Sequence, residues 1–215
     1  MKVASLLFGG PGAGKGNASG PLKGLGYQLI GTGDYFRMLV EQARVGDEEA
    51  GRIATIMSAG KRVPDESVMA YVSSRLEVID LDCSLIFDAP RSPGQVRQFK
   101  EMMMARGVRN VLTFYLDAPE HLCRERLRKR AQQEDRNDNG DEVIERRLHE
   151  YREYGPETLE ALYEHTDVLP INATMPRLHV QALILHRLTQ IEPNQTYEHQ
   201  LMEMVRPKMH MAAAG

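Results

Sequence analysis

Residues 9–16 read Gly-Gly-Pro-Gly-Ala-Gly-Lys-Gly, directly after the apolar run Val3–Phe8 and directly before a helical pattern. No other feature limits the fold as strongly. Glycines let consecutive backbone N–H groups turn inward and approach an anion with no side chain in the way. The N-terminus of the following helix adds free N–H donors and partial positive charge. Lys15 supplies a mobile cation of the kind that meets terminal phosphates. The Gly-x-Gly-x-x-Gly spacing of dinucleotide-binding turns is absent from this stretch. Gly9, Gly14 and Lys15 instead have P-loop spacing, with Gly16 where serine or threonine usually stands.

Strand-like runs recur along the chain: Val3–Phe8, Tyr27–Ile30, Leu85–Phe87, Val108–Leu116 and Val168–Ile171. Between them the periodicity predicts helices over Asp34–Arg44, Glu48–Ala59, Asp65–Ile79, Pro93–Arg106, Pro119–Arg130, Asp141–Arg152 and Pro176–Ile191. Alternation of this kind builds a parallel sheet with helices on both faces. Pro93 and Pro119 suit first-turn positions, and Gly26 and Gly107 suit helix ends. Gly20-Pro21 conflicts with the helix expected after the loop. A proline there removes a hydrogen bond and predicts a kinked or shortened helix.

At 215 residues the chain fits one α/β domain with at most a small insertion, and 42% hydrophobic residues is enough for a sizeable core. A net charge of −3 argues against a chain-wide binder of nucleic acid. Two cysteines, Cys83 and Cys123, make neither a disulfide scaffold nor a four-cysteine zinc site. The first apolar run is too short for a signal peptide or a membrane span. The expectation is a soluble, cytoplasmic monomer with no membrane or nucleic-acid partner.

Further motifs follow in order: Gly31-Thr32-Gly33-Asp34-Tyr35-Phe36-Arg37, Gly60-Lys61-Arg62-Val63-Pro64-Asp65-Glu66, Pro90-Arg91-Ser92-Pro93-Gly94-Gln95, and an arginine series at Arg126, Arg130, Arg136 and Arg147. With Gly16 after the loop lysine, this set resembles the adenylate kinases, P-loop nucleoside monophosphate kinases, over about residues 1–190. The resemblance implies a three-layer P-loop fold, a five-stranded parallel sheet flanked by helices. It implies a kinase domain over 1–192, with a helical monophosphate-binding segment near 31–65 and a short, zinc-free lid near 131–141, and a C-terminal extension over 193–215. It implies Mg²⁺-dependent transfer of the ATP γ-phosphoryl group to AMP. Gly12, Ala13, Gly14, Lys15, Gly16 and Asn17 would hold the ATP phosphates and Arg126 would cover its base. Arg37 and Arg91 would hold the AMP phosphate, and Thr32, Val63 and Gln95 its base. Lys15, Arg91, Arg130, Arg136 and Arg147 would act in catalysis, and Asp88 would orient water on the metal.

The residues themselves suit this reading. Phosphoryl transfer needs two anions held in line and their charge stabilised, and arginine stays charged while bonding phosphate in bidentate fashion. Arg126 and Arg130 stand four apart, on one helix face. Gln132–Gly140 carries charge of both signs and no apolar residue, so it has nothing to bury and is expected to be a mobile lid. Arg124, Arg128 and Arg146 read as surface cations, Asp34 as a helix cap, and Gln98 as a nearby amide competing with Gln95.

Two departures from the pattern stand out. Asn17 replaces a threonine, though its amide can still donate to phosphate. Asp88-Ala89-Pro90-Arg91 is one residue shorter than the family's strand end, so either Asp88 still reaches the site or a one-residue slip puts Phe87 in its place. The alternatives are a pyrimidine monophosphate kinase and a nucleotide-binding module with weak catalysis. Thr32 and Gln95 favour AMP, because pyrimidine-specific relatives usually carry alanine and asparagine there. The methionine-rich tail after Ile191 reads as core contact, disordered tail or partner site.

Overall fold

The computed structural model describes residues 4–24, 26–42, 47–79, 85–88, 90–133 and 140–191. Arg136, most of the lid segment, Cys83 and the tail beyond Ile191 lie outside them. Among the described residues the elements run β1 (Ala4–Phe8), α1 (Lys15–Gly24), β2 (Gln28–Gly31), α2 (Thr32–Gln42), α3 (Glu48–Ser58) and α4 (Asp65–Val78). Then come β3 (Leu85–Asp88), α5 (Pro93–Ala105), β4 (Val111–Asp117), α6 (Glu120–Gln133), α7 (Asp141–His165), β5 (Asp167–Asn172) and α8 (Arg177–Ile191). No helix among them is long and apolar enough to cross a membrane.

The five strands are all parallel, in the order β2-β3-β1-β4-β5. Connections leaving β1 lead toward the β2 edge, while the connection leaving β3 passes to the far side of β1. A crevice therefore opens between the carboxyl ends of β1 and β3, where open α/β sheets bind ligands. The loop at residues 9–14 leaves β1 at that point, and Asp88 ends β3 there, in register with Leu7 and Gly31.

Strand alternation sorts the core into two layers. Leu7, Ile86, Leu112, Phe114 and Leu116 pack with α1, α6, α8 and the first half of α7. Leu6, Phe8, Leu85, Phe87 and Val111 pack with α2 to α5 and the last turns of α7. This parity decides the question raised by the short strand end. Phe87 is fully buried against Phe99, ring centroids 5.1 Å apart, so no slip brings it to the site. Asp88 has the opposite parity and faces the layer that holds α1.

Helix ends follow local chemistry. Ser92 caps α5 by accepting the Gln95 N–H, with Pro93 in the first turn. Gly107 takes a left-handed φ of 79°, and the Val108 N–H closes back on the Met103 carbonyl at 2.9 Å. Two elements differ from expectation. Helix α7 runs on to His165 through Gly155-Pro156, because Thr158, Ala161 and Leu162 beyond the proline are buried. Helix α1 likewise continues past Pro21 to Gly24. The carbonyl that residue 21 would have bonded is that of Asn17, and it accepts instead from Gln181 Nε2 of α8 at 2.6 Å.

Candidate active site

The crevice is a cavity of about 710 Å³, within the roughly 300–1,000 Å³ usual for small-molecule sites. Nine basic side chains line it against three acidic ones, so the space suits polyanions. A second cavity of about 60 Å³ lies beside it, sharing Thr32, Gly33, Arg37, Gly60, Arg91 and Arg147.

The glycine loop forms the floor. Gly12 has φ +83°, and a Cβ there would collide with the Cys123 carbonyl of α6, so no other residue fits. Gly14 has φ +105° with open space beside it. The Lys15 ammonium donates to the carbonyls of Gly9 (2.6 Å) and Gly10 (3.2 Å), lying back along its own loop. Burial holds the Lys15 pKa down to about 8. Asp88 opposes that shift, while Arg91 and Arg147 add to it. Asp88 is itself shifted upward by burial, against the pull of Lys15 and Arg91. Its Oδ1 is buried and accepts no hydrogen bond among the described residues.

Gly12, Ala13, Gly14, Lys15, Gly16, Asn17, Thr32, Arg37, Asp88, Arg91, Arg126, Arg130 and Arg147 all line the main cavity. Val63 and Gln95 line only the smaller one. Arg126 and Arg130 reach the cavity from one face of α6, as their spacing predicted, and Arg126 donates to the Ala173 carbonyl at 2.8 Å. Gln95 is buried. The Arg91 N–H donates to its Oε1 at 2.8 Å, and its Nε2 donates to Asp65 at 2.7 Å. Ser92 donates to the same Asp65 carboxylate. The orientation of the Gln95 amide is thereby fixed. Gln98 is exposed and lines neither cavity.

Asp34 is not a cap. It sits inside the first turn of α2, largely exposed, and pairs with Arg37. The three arginines read as surface cations carry partners. Arg124 bonds Glu145 and Glu120 at 2.6 and 2.7 Å, Arg128 bonds Asp141 at 2.9 Å, and Arg146 donates to the Ala59 carbonyl at 2.9 Å.

Several lining residues had no role assigned from the sequence. Arg62 stacks over the Tyr154 ring at 4.9 Å, donates to the Arg91 carbonyl at 2.6 Å and faces Glu150 at 3.7 Å. It ties the turn after α3 to α7. Tyr154 and Glu150 stand at helical spacing from Arg147, the one signal that could have found them. Ala173, Met175, Arg177 and Val180 form a partly apolar wall at the far end, beside Arg126.

The family whose model matches residues 7–168 is described as adenylate kinase. The chain is 31% identical to the adenylate kinase of Thermosynechococcus vestitus over 192 residues, 86% of this chain and 97% of that protein. It is 32% identical to the adenylate kinase of Thermus thermophilus over 168 residues, 77% and 86% of the two. It is 34% identical to that of Maricaulis maris over 149 residues, 68% and 77%.

Proposed function

As the chain belongs to the adenylate kinase family and is thus a phosphotransferase, we propose that its cationic cavity holds ATP and AMP together and moves the ATP γ-phosphoryl group reversibly to AMP, giving two ADP. The observation that carries this is the meeting of Lys15, Arg91 and Arg147 in one crevice, between a wall at Ala173–Val180 and a pocket at Thr32, Val63 and Gln95. One wall suits each base, and the cations lie between them.

ATP phosphates rest on the amides of residues 12–17 and on Lys15, whose ammonium leaves the Gly9 and Gly10 carbonyls to meet them. The Arg126 guanidinium and the Val180 wall cover the base. Arg37 and Arg91 hold the AMP phosphate. Gln95 has one N–H and one lone pair left for the base edge, a donor–acceptor pair that matches adenine. Arg130, Arg136 and Arg147 close over the transferring group. In such a site the protein's work is to hold donor and acceptor in line and stabilise spreading charge. Residues 31–65 are the monophosphate-binding segment and 131–141 the lid of this reading, and 193–215 is an extension outside the site.

Mg²⁺ fits the residues present. Among the described residues no three acidic, histidine or cysteine side chains gather as a metal cage, and Gly16 offers no hydroxyl. Asp88 supplies one buried carboxylate oxygen without a hydrogen-bond partner, which suits an ion held mostly by water and substrate phosphates. The bound ion supplies charge neutralisation at the phosphate oxygens. The same reading makes the protein a cytoplasmic monomer: free ATP and AMP are pooled in the cytoplasm, and a single chain lining both cavities supports a unit that works alone.

A coupled assay over AMP, UMP, CMP and GMP tests the assignment. AMP has the highest specificity constant on this reading. A higher value for UMP or CMP would make the protein a pyrimidine monophosphate kinase.

A further inference from the structure

Pro21 lies inside α1, the helix that begins at Lys15. In a regular α-helix the N–H of residue 21 would bond the carbonyl of residue 17. Proline has no N–H, and its ring crowds that carbonyl and tilts it outward. Left bare and partly buried, such a group loses its hydration without replacement. Here Gln181 on α8 supplies the missing donor, its Nε2 lying 2.6 Å from the Asn17 carbonyl. Gln181 is itself a buried polar side chain, one of few in the core.

Two sides of the cavity meet in this bond. Asn17 lies in the first turn after the glycine loop, where the phosphates are read to bind. Val180 and Arg177, neighbours of Gln181 on α8, line the adjoining wall, where the base is placed. Among the described residues the rest of this helix pair is apolar, Ala18 and Leu22 sharing a core cluster with Val180, Ile184, Leu185 and Leu188, and the Gln181 bond adds a directional contact to that packing. We propose that Gln181 is a positioning residue: by replacing the hydrogen bond that Pro21 removes, it sets the span between the phosphate loop and the base wall, and so the affinity for ATP. The pair acts as one device, a helix opened by proline and closed by a side chain from the next wall.

This rests on the P-loop crevice being the ATP site. ATP use by the unaltered protein tests that reading, and the coupling of positions 21 and 181 tests this one. The experiment is a double-mutant cycle of Gln181→Leu and Pro21→Ala, measuring KM for ATP and for AMP and the thermal shift given by ATP. Gln181→Leu alone should raise KM for ATP about three- to tenfold, a loss of about 0.7–1.4 kcal/mol, with KM for AMP unchanged. Pro21→Ala restores the helical donor. In that background Gln181→Leu should change KM for ATP less than twofold. Equal effects of Gln181→Leu in both backgrounds, or equal effects on ATP and AMP, would overturn the proposal. Should Gln181→Leu alone fail to fold, folding of the double variant supports the coupling, and failure of both overturns it.

Discussion

The charge state of Lys15 offers a quantitative handle on the site. Its ammonium lies against loop carbonyls beside Arg91 and Arg147, and its pKa is held down to about 8 mainly by burial. At pH 8 half of the free protein would carry an uncharged Lys15, and at pH 9 only about a tenth would keep the charge. ATP phosphates restore an anionic neighbour, so the bound state holds the proton to higher pH. The expected result is that kcat/KM for ATP falls about tenfold per pH unit above 8, while kcat at saturating ATP stays nearly flat. Proton uptake accompanies ATP binding near pH 8, visible as a buffer-dependent binding enthalpy. The assay should run from pH 7.5 to 9.5, above the phosphate's own second ionisation near 6. Lys15→Arg should lose the alkaline limb. Lys15→Met should lower kcat by on the order of 10² or more. For stability the sign is opposite to that of a paired lysine. The folded pKa lies below the ordinary 10.5, so the unfolded chain binds more protons between pH 8 and 10.5, and this residue's destabilisation is relieved as pH rises through that window. A flat kcat/KM profile to pH 9.5, or an unchanged limb in Lys15→Arg, would refute the reasoning.

Asp88 raises the Lys15 pKa, so Asp88→Asn should move the alkaline limb below pH 8 and raise the Mg²⁺ concentration needed for half-maximal rate; both come from the same kinetic titrations. Asp65→Ala releases the Gln95 amide and should raise KM for AMP roughly tenfold, in line with about 1–2 kcal/mol, while KM for ATP holds. Gly12→Ala puts a methyl group into the Cys123 carbonyl at a positive φ. It should lower the melting temperature and abolish turnover, read by calorimetry and the coupled assay.

The two layers and the crevice were legible because their signals are local. Strand runs bounded by glycine, a phosphate loop of fixed spacing and proline or glycine at helix ends each act within a few residues. Features set by distant partners were not legible. Pro21 predicts a broken helix, and nothing near it in sequence announces that Gln181, 160 residues later, repairs the bond. Helix α7 crosses Gly155-Pro156 because buried residues beyond the proline outweigh its local cost, a tertiary effect. Val63 was drawn from the same short motif as Arg62, yet the contacts of Arg62 depend on Tyr154 and Glu150 of another helix. Alternation puts Phe87 and Asp88 on opposite faces but leaves open which of them meets the site, and the burial of Phe87 against Phe99 with the register of β3 against β1 decides it.

The central claim is that one crevice holds two nucleotides end to end. Titration with a dinucleoside polyphosphate carrying two adenosines joined through five phosphates tests it most directly. One molecule should bind per chain, competing with ATP and with AMP alike, and Lys15→Met and Arg37→Ala should each weaken it. Binding of two molecules per chain, or competition with ATP alone, would contradict it.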